Sequence, residues 1–177
     1  MKKIVWKAYM DYEKEEAWLN EMAAGGLAMT EYTWCRYVFE SCDPGEYTYR
    51  LELLNNHPSN PESRRYIRFM EENGVEYVAS YMRWIYFRKK KKDGTFDIYS
   101  DTDSRISHYK RVLALWLPLC GLDLTIGVSN LLIGLSYSPT NLIMSFLLFV
   151  LGGIVLYQCL KVVRKLGRLR REKQLRE

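Results

Sequence analysis

The sequence predicts an α+β domain of the ferredoxin-like type, with a split βαβ order and an added hairpin, followed by a two-helix transmembrane hairpin. Alternating strand and helix patterns in residues 3–99 and two long apolar runs after residue 111 lead to this prediction. The predicted segments are a cytoplasmic α+β domain (1–103), a juxtamembrane helix (104–111), transmembrane helices (112–135 and 142–163), an extracellular loop (136–141) and a basic cytoplasmic tail (164–177).

The chain opens with a strand and a helix. Residues 3–10 are rich in β-branched and aromatic side chains, which favours a strand. Asp11 is a good helix N-cap, and Gly25-Gly26 is typical of a helix end. A hairpin follows, since residues 31–41 and 47–53 alternate like strands around the turn residues 43–45.

The second half of the domain begins with another helix, which has Asn60 as its N-cap, Pro61 at its first position and Gly74 at its end. Three strand patterns and a helix follow: 75–81, 84–88 after a bulge near Met82-Arg83, 95–99 after the turn Asp93-Gly94, and a helix capped by Asp101 or Asp103. In a ferredoxin-like fold both helices cover one sheet face and leave the other available. A rearranged α+β sandwich is the alternative.

Both apolar runs are long enough to cross a bilayer. Residues 112–135 contain one charged residue, Asp123, and residues 142–160 contain none. At about 1.5 Å per residue, each run spans a hydrocarbon core of about 30 Å. The alternative, a buried hairpin of a soluble protein, needs a larger surrounding core than the remaining chain provides.

The distribution of charge predicts the orientation. Residues 1–111 are neutral, with 18 Lys+Arg and 18 Asp+Glu, whereas residues 161–177 hold 8 Lys+Arg and 2 Glu. The positive-inside rule therefore puts both termini in the cytoplasm of a cell-membrane protein. Because the basic tail directly follows a span, we expect it to contact membrane lipids and not nucleic acid. No signal peptide is predicted, since the apolar stretch after Lys3 is short.

Small residues recur at heptad spacing in both runs, and one carboxylate lies mid-span. Small residues let helix backbones approach closely, within the hairpin or between protomers. Asp123 costs a few kcal/mol at that depth. It suits a relay, a contact with a membrane partner, or a neutral side chain bonded to Thr125, Asn130 or Gln158. We favour helix association, with candidate contacts at Asp123, Gly127, Gly134 and Gly152.

Aromatic residues concentrate before the first span. Twelve of the 14 tyrosines and four of the five tryptophans lie in residues 1–111. Such amphipathic rings suit a sheet face that contacts a partner, although each ring taken singly is more typical of a core. Strand alternation suggests one partner-binding face made of Trp6, Trp34, Tyr49 and Trp84.

No motif predicts catalysis. The four cysteines (Cys35, Cys42, Cys120, Cys159) form no CxxC pair, and only two histidines are available, so we expect no metal site and no cofactor. Phosphate-binding glycine loops, nucleophile elbows and HExxH motifs do not occur in the sequence. We therefore expect that the protein is not an enzyme.

Five short runs resemble the bacterial domain of unknown function 2812 family: residues 16–26, 46–51, 74–78, 84–89 and 98–101. Their order and spacing resemble the family across residues 6–111. The resemblance implies a Gram-positive, two-span membrane protein with a cytoplasmic α+β domain. It also suggests a link to a PadR-like transcription regulator, and it implies no known catalytic residues.

Three functions remain open at this point. The favoured one is a membrane-anchored cytoplasmic binding or regulatory module that contacts a protein partner or a second copy. The second is an accessory subunit of a membrane transporter or resistance system, docked through Asp123 and the small residues. The third is a small-molecule-binding domain that uses the open sheet face.

Overall fold

The computed structural model describes residues 2–99 and 101–175. The chain divides into two compact units, Met1–Ser100, here called the head, and Asp101–Glu177. The head is mixed α+β, and the second unit contains two long apolar helices. The predicted fold class is therefore confirmed at this level.

Six strands and two helices make up the head: β1 (Lys3–Trp6), α1 (Tyr12–Ala24), β2 (Leu27–Thr33), β3 (Arg36–Ser41), β4 (Tyr47–Leu53), α2 (Pro61–Glu72), β5 (Glu76–Tyr81) and β6 (Trp84–Lys90). A single 3-10 turn, Lys91–Asp93, follows β6. The predicted N-caps form: the Asp11 side chain accepts from the amide of Glu13, and that of Asn60 accepts from the amide of Glu62.

The strands form two sheets, in the orders β1-β3-β2 and β4-β6-β5. Each pairing within them is antiparallel. A split βαβ unit instead needs parallel strands in one sheet. The strand order thus differs from the predicted ferredoxin-like sheet and agrees with the rearranged α+β alternative.

Two tight turns explain this difference. The chain reverses at Trp34-Cys35, so residues predicted as one strand (31–41) form the paired strands β2 and β3. It reverses again at Met82-Arg83, where we predicted a bulge. Trp34, Cys35 and Met82 all have positive φ, a conformation for which glycine or asparagine is the usual sequence signal. The predicted turn at residues 43–45 instead connects the two sheets, because β3 and β4 belong to different ones.

The main core joins α1 to both sheets. Leu19 from α1, Phe39 from β3 and Tyr86 from β6 are buried in one cluster. A second cluster, around Phe87 of β6, includes Phe96. The predicted strand at 95–99 is not formed. Its apolar residues pack in this core instead. Because an alternating apolar pattern is compatible with either arrangement, the sequence pattern could not distinguish core packing from strand pairing.

The second unit is an antiparallel helix pair, α3 (Thr102–Ser136) and α4 (Pro139–Gln174). Asp101 caps α3 by accepting from the amide of Ser104 at 2.6 Å. The connection is only Tyr137-Ser138, shorter than the predicted loop. The basic segment after residue 163 continues α4 as helix through Gln174, and Lys173 reaches Asp103 of α3 at 2.8 Å.

Candidate functional site

A buried carboxyl group organises the core of the head. Oε1 of Glu15 accepts hydrogen bonds from the hydroxyls of Tyr37 and Tyr86, each at 2.7 Å. Burial raises the pKa of Glu15, and it also raises the pKa of both tyrosines. The Tyr32 ring packs against both tyrosine rings, at 4.6 and 4.8 Å between centroids. The cluster is closely packed, and its carboxyl group is already used as an acceptor.

Arg88 links the two sheets. From β6 it donates to the carboxylate of Glu76 at 2.6 Å and to the backbone carbonyl of Met29, in β2, at 3.3 Å. Its guanidinium also lies 4.3 Å from the centre of the Tyr47 ring. These contacts engage the positively charged guanidinium of Arg88 and support a structural role for this residue.

The predicted aromatic face is not formed as one surface. Tyr49 is 0% exposed, and its hydroxyl accepts from the amide of Met29 at 2.8 Å. Trp84 is partly buried, with its ring 5.3 Å from that of Tyr12. Both residues therefore serve the core. The prediction failed because the alternation was applied to one sheet, whereas β4 and β6 belong to a different sheet from β1 and β3.

Trp6 and Trp34 are instead brought to one end of the first sheet. Trp6 pairs in register with Arg36, and the next amide, of Lys7, donates to the carbonyl of Cys35 at 2.8 Å. The two indoles are 67% and 66% exposed. We call Trp6, Trp34 and Cys35 the aromatic tip. A tip that exposes two large apolar rings can bind an apolar surface.

Backbone strain accompanies this exposure. Trp34 and Cys35 have φ values of 31° and 64°, which residues other than glycine rarely adopt. The hydroxyl of Tyr32 supports the turn by accepting from the amide of Cys35 at 3.3 Å. Strained conformations of this kind cluster at binding and switch sites, so the strain supports a binding role for the aromatic tip.

The predicted glycine contacts lie between α3 and α4. A Cβ atom on Gly134 would lie 2.8 Å from the backbone nitrogen of Leu142, and one on Gly127 would lie 3.2 Å from the Phe149 ring. On Gly152 it would lie 2.7 Å from Oδ2 of Asp123. Four of the five buried residues of α4 are seven apart, namely Ser145, Gly152, Cys159 and Leu166. The fifth, Val155, lies three residues after Gly152, so the buried positions follow the heptad spacing that is typical of left-handed packing.

The family model described as "Protein of unknown function (DUF2812)" matches residues 11–120, well over half of the chain. The chain belongs to the DUF2812 family. No curated protein and no solved structure matches it.

The DUF2812 match covers most of the head and the first part of α3. Glu15, Trp34 and Arg88 lie within the matched segment, whereas Trp6 and Asp123 lie outside it. The family's description assigns no activity to this DUF2812 protein.

The hollows described on the surface of this DUF2812 head are wide and open. Two hollows of about 630 Å³ each are open to solvent and have charged residues in their walls, such as Lys90 and Asp93 in one and Arg50 and Asp97 in the other. Ligand pockets normally bury most of the ligand. Within residues 2–99 and 101–175, no group of three or more His, Cys, Asp or Glu could hold a metal ion.

Glu15 was missed by the sequence analysis, where it resembles an ordinary acidic residue of a first helical turn. A usable signal existed. Glu15, Leu19 and Ala23 are four residues apart and are the buried residues of α1, so the acid lies on the apolar stripe of the helix.

Proposed function

We propose that this protein is a membrane-anchored binding or regulatory module whose head contacts a protein partner through the aromatic tip. The exposure of Trp6 and Trp34 at one end of the first sheet is the observation that carries the proposal. Tryptophan is the residue type most enriched among those that dominate protein–protein binding energy. The Glu15 carboxyl group is engaged by two tyrosines, which favours binding over catalysis.

Anchoring follows from the second unit. Helices α3 and α4 are long and apolar enough to cross a membrane. Basic residues lie on the segments that bear the head and the C-terminus, and the Tyr137-Ser138 connection carries no charge. By the positive-inside rule, the head and the C-terminus face the cytoplasm of the cell membrane. Lys161, Arg164 and Lys165, directly after the apolar run, suit anionic lipid headgroups.

A transcription regulator is the first partner to test. The family resemblance suggests a PadR-like regulator, and a membrane-anchored head that binds one would hold it away from its promoter. A second copy of the head is the competing occupant of the aromatic tip. With either partner, the contact should depend on Trp6 and Trp34.

Site-specific photocrosslinking tests this proposal in intact cells. A photoreactive phenylalanine analogue replaces Trp34 in the full-length protein, and in a matched control it replaces Met82. Met82 is also 67% exposed and also has positive φ, but it lies in the β5–β6 turn. The proposal predicts one discrete crosslinked product at position 34 that is absent at position 82.

Mass spectrometry of that product identifies the occupant as the regulator, a second copy or another protein. When Trp6→Ala is introduced into the protein that carries the photoreactive residue at position 34, the yield of the crosslink should fall several-fold. The binding role of the aromatic tip would be contradicted by equal, diffuse crosslinking at positions 34 and 82, or by a crosslink at position 34 that Trp6→Ala leaves unchanged.

A further inference from the structure

Asp123 is the only Asp, Glu, Lys, Arg or His residue between positions 112 and 160. It lies 11 residues from Val112 and 12 from Leu135, which places it about 17 Å along the helix axis from each end of the apolar run. In a membrane-spanning α3 this is mid-bilayer. A carboxyl group at that depth costs free energy unless it is paired or protonated.

The helix pair positions this carboxyl group without satisfying it. Its Oδ2 atom is buried against Gly152, where the lack of a side chain leaves room for it. Among the described residues, no hydrogen-bond partner reaches that oxygen. Thr125 and Asn130, the nearby candidates in the sequence, donate instead to the backbone carbonyls of Gly121 and Ile126. The alternative of a neutral Asp123 bonded to Thr125, Asn130 or Gln158 is therefore not seen at this oxygen among the described residues.

The side chain of Asp123 is nevertheless partly exposed. The carboxyl group is therefore held in a notch at the edge of the helix pair, open on one side to a third helix. Polar groups at such positions are typically completed by a neighbouring helix.

We propose that Asp123 is a docking site for a transmembrane helix of another protein that carries a lysine or arginine near mid-bilayer. This inference rests on the proposed membrane anchoring. Charge complementarity selects the occupant. The spans of a second copy of this chain contain no cationic residue, so a lysine or arginine near mid-bilayer has to come from another protein. An ammonium or guanidinium group forms a charge-assisted hydrogen bond to a carboxylate, and this contact is strong where water is excluded.

Synthetic membrane-spanning peptides provide the probe. Full-length protein labelled with a donor fluorophore is reconstituted in phosphatidylcholine vesicles together with acceptor-labelled Leu/Ala peptides. The peptides are identical except for one central residue, which is Lys, Leu or Asp. Energy transfer then measures association of each peptide with the protein at equal peptide-to-lipid ratio.

The expected result is at least about tenfold stronger association of the Lys peptide than of the Leu peptide. Asp123→Asn should abolish this preference, whereas Asp123→Glu and the control Ser145→Ala should retain it. Ser145 is a suitable control because it is buried in the same helix pair and its hydroxyl likewise has no partner among the described residues. An exchange, Asp123→Lys with the Asp peptide, should restore selective association.

Equal association of the Lys and Leu peptides with the wild-type protein would overturn the proposal. A preference for the Asp peptide would also overturn it, in favour of two carboxyl groups that share a proton in a self-associated form. Carbonate washing of the same vesicles separates the two levels of inference. If the protein is extracted, the membrane anchoring fails. If it is retained without Lys selectivity, only the docking site fails.

Discussion

Tyr86 donates a 2.7 Å hydrogen bond to Glu15, which joins the first helix of the head to a strand 71 residues further along the chain. Tyr37 donates to the same carboxylate oxygen from the other sheet. One acid in α1 therefore ties together both sheets, and the aromatic cluster around it fixes the position of Tyr32, which supports the strained turn of the aromatic tip.

Replacement of Glu15 should change how the unfolding free energy of the head depends on pH. Burial raises the pKa of Glu15 above its ordinary value of 4.5, so the folded state binds the proton more tightly than the unfolded state. Its contribution to stability is fully present below that value and is lost as pH rises through the folded-state pKa. Glu15→Gln, which does not titrate, should flatten the fall in unfolding free energy with rising pH.

Urea unfolding of the full-length protein in detergent, followed by near-UV circular dichroism between pH 4 and 8, measures this slope. Glu15→Leu is the matched control. It leaves two buried tyrosine hydroxyls without their acceptor and should cost about 1–3 kcal/mol for each one. A wild-type slope unchanged by Glu15→Gln would show that another group is responsible for the pH dependence.

Relief of backbone strain at the aromatic tip should stabilise the head. Cys35 has a φ of 64°, a region that costs residues other than glycine about 1–2 kcal/mol. Cys35→Gly removes that cost but adds flexibility to the unfolded chain. We therefore expect a net gain of up to about 1 kcal/mol in unfolding free energy.

Cys42→Gly is the control for this variant. Cys42 follows β3 and has no positive φ, so glycine there should lower the unfolding free energy. If binding depends on the strained presentation of Trp34, Cys35→Gly should also weaken the crosslink at position 34 while it stabilises the fold. Destabilisation by both glycine variants would refute the strain at position 35.

The glycines of the helix pair should differ sharply in their tolerance of alanine. Gly134→Ala places a Cβ atom 2.8 Å from the backbone nitrogen of Leu142, which only a shift of one helix can relieve. Gly121→Ala meets no atom within 4 Å and is the matched control on the same helix. We expect Gly134→Ala to lower the thermal stability of the helix pair in detergent by several degrees, with no loss for Gly121→Ala. Equal stability of the two variants would contradict the close contact.

The sequence was informative where local chemistry decides the structure. Asp11 and Asn60 were predicted as helix caps, and Asp101 was one of two candidates for a third. Each accepts the backbone hydrogen bond expected of a cap. The apolar runs likewise predicted the two long helices. These features depend on short stretches of chain, in which residue type directly sets the available hydrogen bonds and the buried surface.

The pairing of the strands could not be predicted in the same way. The reversal at Trp34-Cys35 lacks the glycine or asparagine that normally marks positive φ. The turn is instead supported by a side chain, since the Tyr32 hydroxyl accepts from the amide of Cys35. Once this turn was missed, strands were assigned to the wrong sheet. Tyr49 was consequently placed on an exposed face, although it is buried.

The candidate sites were likewise predictable only where they depend on local sequence and not on how the strands and helices pair. Trp6 and Trp34 were selected from the sequence as binding residues, and the structure brings them to one end of a sheet. Their separation from Tyr49 and Trp84 depends on sheet membership, which single-sequence alternation does not contain. For Asp123, composition showed an isolated charge, but the notch formed by Gly152 required the register of the two helices.

Cysteine labelling in intact cells tests the central claim most directly, namely that two helices cross the membrane and hold the head inside. In a background with the four native cysteines replaced, single cysteines are introduced at Ser138, in the connection, and at Met82, on the head. The account predicts that a membrane-impermeant maleimide labels position 138 in intact cells and position 82 only after permeabilisation. Labelling of position 82 in intact cells, or protection of position 138 until the cells are opened, would contradict it.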